Sequence, residues 1–149
     1  MNLYDVLIPT PVAHAGTSFG EAVRACVDKD VPGIPFVNEL GEIVGRFSLR
    51  HAFREACVPS RALLGGRLLG DDMDYFATPP GRASDILLEP VEGYCLEDSL
   101  QLESGAQISQ ILEQMEAFNT AYLFVVEGGR YLGVITRIGV ARLILEQGC

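Results

Sequence analysis

Apolar positions along the 149-residue chain change their spacing in an order that occurs twice. Phe19, Ala22, Val23, Cys26 and Val27 recur every three or four residues, as one buried helix face requires. Thr17 or Ser18 can cap this helix, Ser18-x-x-Glu21 has the spacing of a capping box, and Gly33 is expected to end the segment. Ile34 to Asn38 then reads as a strand, Glu39-Leu40-Gly41 as a turn, and Glu42 to Ser48 as a second strand. Ser48 is expected to cap another helix with Leu49, Ala52, Phe53 and Ala56 inward, closed by Pro59.

The same order returns further on. Ile108, Ile111, Leu112 and Met115 mark one helix face. Tyr122 to Glu127 and Arg130 to Thr136 read as a hairpin around Gly128-Gly129, and Val140, Leu143 and Ile144 face inward on a final helix. Leu100-Gln101-Leu102 alternates as a short strand would. The residues themselves also repeat. The segment from Asp5 to Val12 resembles that from Asp85 to Val91 at an offset of 80. Phe36 to Gly45 matches Phe124 to Gly133 at an offset of 88, with five of ten positions identical. The chain is therefore two copies of one unit, with about eight extra residues in the second, expected between Gly93 and Ser104. Each copy is strand–helix–strand–strand–helix and too small to cover its own sheet, so the expected fold is α+β with the two sheets packed together. The copies are placed at 1–57 and 85–149. The connector, 58–84, holds Leu63, Leu64, Leu68, Leu69, Tyr75 and Phe76, too apolar for a free linker, and is expected to pack across the repeats as short helical turns.

Composition narrows the chemistry. At 48% apolar residues the chain is not disordered, and a formal charge of −9 argues against nucleic-acid and anionic-membrane partners. No run reaches the roughly 18 apolar residues of a spanning helix, and the N-terminus lacks a basic signal region, so a cytoplasmic location is expected. Cys26, Cys57, Cys95 and Cys149 form no Cys-x-x-Cys pair, which gives no sign of a zinc site or a redox motif. His14 and His51 have no acid or Cys spaced as a triad or metal set, and Gly65-Gly66 lacks a following Lys-Ser/Thr. No enzyme is expected. Asp71, Asp72 and Asp74 read as a solvated acidic turn. Two windows oppose the acidic background: Val44 to Arg54 and Arg130 to Arg142 each hold three Arg and no acid.

The duplicated unit, introduced by Asp-Val-Leu or Asp-Ile-Leu plus a proline, resembles a tandem cystathionine-β-synthase (CBS) domain pair. The two hairpin blocks carry most of the match, which covers nearly the whole chain. The resemblance implies a two-fold module, commonly dimeric, that binds AMP, ADP, ATP or S-adenosylmethionine between its repeats and regulates a separate effector protein. The family's nucleotide motif runs Gly-x-x-Ser/Thr-x-x-Asp. Here it reads Gly45-Arg46-Phe47-Ser48-Leu49-Arg50-His51 and Gly133-Val134-Ile135-Thr136-Arg137-Ile138-Gly139. The hydroxyls are kept, while the Asp that holds the ribose diol is replaced by His51 and Gly139. Losing such a carboxylate removes about 1.5–3 kcal/mol, or one to two powers of ten in affinity. His51 can still make a hydrogen bond and Gly139 cannot, which favours the first copy. The ligand residues implied are Ser48, Arg50, His51, Thr136 and Arg137, with Ile34, Pro35, Tyr122 and Leu123 as apolar walls. The competing expectation is a binding-incompetent pair that acts as a homodimeric interaction scaffold, with Asp71 to Asp74 and the surroundings of Tyr94 as its partner surfaces.

Overall fold

The computed structural model describes residues 2–58 and 85–149. The expectations for Pro59, for the packed connector and for the Asp71 to Asp74 turn lie outside the described residues. After a helical turn α1 (Leu3–Val6) comes α2 (Phe19–Lys29). Helix α2 starts at the expected capping box: the Ser18 hydroxyl accepts from the Glu21 N–H and the Glu21 carboxylate accepts from the Ser18 N–H. It ends earlier than Gly33, at Asp30, whose left-handed φ of 52° lets its N–H turn back to the Cys26 and Val27 carbonyls. Hairpin β1 (Gly33–Val37) and β2 (Ile43–Ser48) follows, then α3 (Leu49–Cys57). On α3 only Ala52 is fully buried, while Phe53, expected inside, is exposed at its edge.

The second half opens with a helical turn at 85–88 and a 3-10 turn (Val91–Tyr94). Strand β3 (Gln101–Glu103), helix α4 (Ile108–Ala117), hairpin β4 (Tyr122–Glu127) with β5 (Arg130–Thr136), and helix α5 (Arg137–Gln147) complete it. One continuous apolar core joins both halves and includes Phe19, Phe47, Phe124, Leu123 and Ile135.

The halves exchange strands. Ile8 bridges Val134 of β5, and Leu96 bridges Arg46 of β2, each through a reciprocal pair of backbone hydrogen bonds of 2.8–2.9 Å. Ala13 adds in parallel to Phe36 of β1, as Leu102 adds to Val125 of β4. The segment from Asp5 to Val12 therefore serves the sheet of the other copy before it reaches its own. Each motif glycine permits this crossing. A Cβ on Gly45 would stand 2.4 Å from the Leu96 carbonyl oxygen, and one on Gly133 would stand 2.8 Å from that of Ile8.

Register corrects the sequence alignment by one residue. Gly33 pairs with Ser48 and Phe36 with Gly45, whereas Tyr122 pairs with Thr136 and Val125 with Gly133. The second strand of each hairpin keeps the offset of 88, but the first is offset by 89, because the first hairpin loop has one more residue. The left-handed pair Asp30 and Asn119 obeys the same 89. Ile8 already sits 88 before its counterpart Leu96 and Ala13 sits 89 before Leu102, so all but one of the extra residues fall ahead of Leu96, earlier than most of the stretch expected from Gly93 to Ser104. There the Val91–Tyr94 turn covers α2: Val91 is fully buried and the Tyr94 ring meets Phe19 edge-on at 4.9 Å.

Burial sets an alkaline limit on this fold. Desolvation pushes the Cys26 thiol and the Tyr131 phenol up to about 12 each, and the Cys95 thiol to about 11, the last with help from nearby Glu92. Their folded values lie above the unfolded ones, so this stabilisation is complete below the ordinary thiol and phenol values. It is lost as pH rises from there toward 11–12, because the unfolded chain gives up protons first. Thermal unfolding followed by circular dichroism should show Tm falling steadily above about pH 9, and Cys26→Ala should flatten the fall.

Candidate functional site

Two clefts lie between the halves, one at each helix that follows a motif. The first, of about 420 Å³, is lined from the first half by Pro32, Arg46, Ser48, Arg50, His51 and Arg54, and from the second by Leu96, Asn119, Thr120, Ala121, Tyr122 and Arg137. The second, of about 440 Å³, has Thr136, Arg137, Ile138, Gly139 and Arg142 facing Asp5, Asp30 and the Val6–Ile8 segment. Pro32, Ala121 and Arg137 belong to both.

The pseudo-two-fold relation lets the clefts be compared position by position. Where the first has Arg46, Arg50 and His51, the equivalent residues in the second half are Val134, Ile138 and Gly139. Where the second receives Asp30 across the gap, the first receives Asn119. Four arginines and His51 thus line the first cleft, with no acid among the described lining residues. The second offsets two arginines with two aspartates.

The two motif hydroxyls have also diverged. Thr136 accepts from the Gly139 N–H at 3.1 Å and caps α5. Ser48 holds the same position but makes no cap bond, and its hydroxyl is instead engaged with Tyr122. The N–H groups of the first turn of α3 are therefore left without a side-chain cap, at the wall of the cationic cleft. The cap expected of Ser48 fails for a geometric reason. Gly33 and Tyr122 are equivalent positions that meet near the pseudo-axis, and the Tyr122 phenol fills the space a Cβ on Gly33 would take, 2.5 Å away. That phenol draws Ser48 off the helix end.

Arg46 fixes the floor of the cleft. It is only 9% exposed, its Nη1 donates to the Tyr122 hydroxyl at 2.7 Å, and its Nε and Nη2 donate to both Asp98 oxygens at 2.7 and 3.3 Å. Burial works against its charge, but the Asp98 hydrogen bond and the Tyr122 oxygen outweigh that and raise its pKa. Burial is also the chief cause of the raised Tyr122 pKa, which keeps the phenol neutral. Arg137 donates to the Thr120 carbonyl at 3.1 Å, while Arg50 and Arg54 are exposed on α3.

Of the residues expected from sequence, Ser48, Arg50, His51, Tyr122 and Arg137 converge on the first cleft, and Thr136 and Arg137 on the second. Ile34, Pro35 and Leu123 line neither: all three are buried, Ile34 and Leu123 within the core. Pro32, Leu96 and Ala121 supply the apolar wall instead. Arg46, Arg54, Asn119 and Thr120 were missed. For Arg46 and Arg54 the acid-free arginine window was the available signal; Asn119 and Thr120 carry none that a single sequence displays.

Comparison with known proteins agrees with this architecture. Residues 91–146 match the family model of the CBS domain. This chain contains a CBS domain. Solved CBS structures superpose on both halves. A CBS domain-containing protein of unknown function from Kribbella flavida aligns with a TM-score of 0.71 at 17% identity, over 97% of this chain and 99% of that one. One from Bacillus anthracis gives 0.68 at 14% identity, over 99% and 94%. A CBS domain pair solved in complex with 5′-methylthioadenosine and S-adenosyl-L-methionine gives 0.62 at 17% identity, over 99% and 98%. No curated protein sequence matches the chain. Among the described residues of this CBS protein, no helix is long and apolar enough to cross a membrane.

Proposed function

We propose that this CBS pair, with repeats at 1–57 and 85–149 around the connector 58–84, is a regulatory module that binds an adenosine ligand in its first cleft. Binding then alters how the module docks on a separate effector protein. The observation that carries this reading is the cleft of about 420 Å³, without an acid among its described lining residues, in which Arg46, Arg50, His51, Arg54 and Arg137 meet the uncapped start of α3. A CBS pair of the same fold holds adenosine compounds, which supports this class of ligand. Arg50, exposed and without an ion pair among the described residues, supplies a charge-assisted hydrogen bond that can form on binding. Isothermal calorimetry with AMP, ADP, ATP and S-adenosylmethionine tests the reading. At least one should bind, and Arg50→Ala should weaken it about tenfold. No heat with any of them at millimolar concentration would overturn it.

A second reading, a homodimeric scaffold, is favoured by one observation. Helix α5 presents Ile138 and Leu145, 67% and 87% exposed, two turns apart on one face. Light scattering should then give a dimer that Ile138→Asp dissociates, and a monomer at all concentrations would exclude it.

A further inference from the structure

We propose that the first cleft selects its ligand by phosphate charge and is indifferent to the ribose 2′-hydroxyl. The inference deepens the proposed adenosine-binding reading and rests on it. It follows from the distribution of charge around the site. Every titratable residue of the lining is a cation, a histidine or the neutral Tyr122: Arg46, Arg50, His51, Arg54 and Arg137. Asp98, which accepts from Arg46 with both oxygens, is not itself among the lining residues. Among the described lining residues no carboxylate stands ready to accept hydrogen bonds from a diol, since His51 occupies that motif position.

The cations are arranged for an extended anion. Arg50, His51 and Arg54 lie on the first two turns of α3, beside its uncapped N–H groups. Arg137 approaches from the opposite half with one donor on the Thr120 carbonyl, and its remaining N–H groups can be shared with a ligand. Such a rim can engage several phosphate oxygens at once, in charge-assisted and bidentate contacts. A nucleoside triphosphate would therefore bind better than a monophosphate. A sulfonium nucleoside such as S-adenosylmethionine brings positive charge into an already cationic site and would be disfavoured. The second cleft, with Asp5 and Asp30 opposite Arg137 and Arg142, has no comparable excess.

Calorimetry at low and moderate salt provides the test, with ATP, 2′-deoxy-ATP, AMP, S-adenosylmethionine and inorganic tripolyphosphate as probes. The expected result is ATP binding at least about tenfold tighter than AMP. 2′-Deoxy-ATP should match ATP within about twofold, tripolyphosphate should compete, and added salt should weaken binding. Arg50→Ala should reduce the ATP-to-AMP ratio, whereas Arg24→Ala, which removes one positive charge outside both clefts, should leave it unchanged. Equal binding of ATP, AMP and S-adenosylmethionine would overturn charge selection and leave the adenosine reading standing. A large loss with 2′-deoxy-ATP would overturn the indifference to the diol. Binding of tripolyphosphate with no preference for ATP over GTP would instead overturn the adenosine reading and keep an anion site.

Discussion

Gly45→Ala is expected to destabilise the protein by about 3–5 kcal/mol, the larger of the glycine effects in this fold. The new Cβ would lie 2.4 Å from the Leu96 carbonyl oxygen, and both positions are backbone, so no side-chain rotation relieves the contact. Relief requires Leu96 to lift from β2, which breaks its hydrogen bonds of 2.9 and 2.8 Å with Arg46 and draws Asp98 away from the Arg46 guanidinium. Overpacking alone costs about 1–3 kcal/mol and each lost hydrogen bond about 1. Gly133→Ala should act in the same direction with less force, because its contact with the Ile8 oxygen is 2.8 Å. Gly93→Ala is the control, since a Cβ there meets nothing within 4 Å. Urea unfolding of the three variants measures the order. A Gly45→Ala midpoint equal to that of Gly93→Ala would show that the exchanged strand does not press on β2.

That exchange explains what the sequence could and could not display. The period of apolar residues located helices α2, α3, α4 and α5 and both hairpins, because each turns apolar side chains toward the common core, even where, as on α3, few are fully buried. The internal repeat was legible because Gly41/Gly129 and Gly45/Gly133 are demanded by a left-handed turn and a backbone crossing, two constraints that act equally on both copies. Strand exchange itself was hidden: Ile8 and Leu96 contribute single bridges, too short for any alternation to register. The identity of Phe36-Val37 with Phe124-Val125 even pointed to the wrong register, since both strands are buried along almost their whole length and lack the polar face that would fix their phase. At the site, motif spacing found the residues that open α3 and α5. It could not find Asn119 and Thr120, which arrive from the other half, nor that Tyr122 would disengage Ser48 from its helix.

Tyr122→Ala is expected to cost about 3–5 kcal/mol, as removal of a large side chain from a core does. Tyr122 is 3% exposed, packs against Phe124 at a centroid distance of 5.7 Å, and closes the space over Gly33. Tyr122→Phe separates the hydroxyl from the ring. It keeps the packing but leaves Arg46 Nη1 without the acceptor it has at 2.7 Å, and an unsatisfied charged donor in a buried setting costs about 1–3 kcal/mol. Asp98 cannot compensate, because it sits on the Nε/Nη2 edge of the guanidinium, away from the Nη1 hydrogen that Tyr122 accepts. If this accounting is correct, Arg46→Met combined with Tyr122→Phe should be less destabilised than the sum of the single variants by at least about 1 kcal/mol. The second change then removes an acceptor that no longer has a donor. Additive effects in chemical denaturation would mean that the phenol stabilises the interface through Ser48 and its ring alone. The same pair bears on the cleft. With Tyr122→Phe, Ser48 is released to cap α3 and one anion-binding feature is lost, so ATP affinity should fall even where the fold persists.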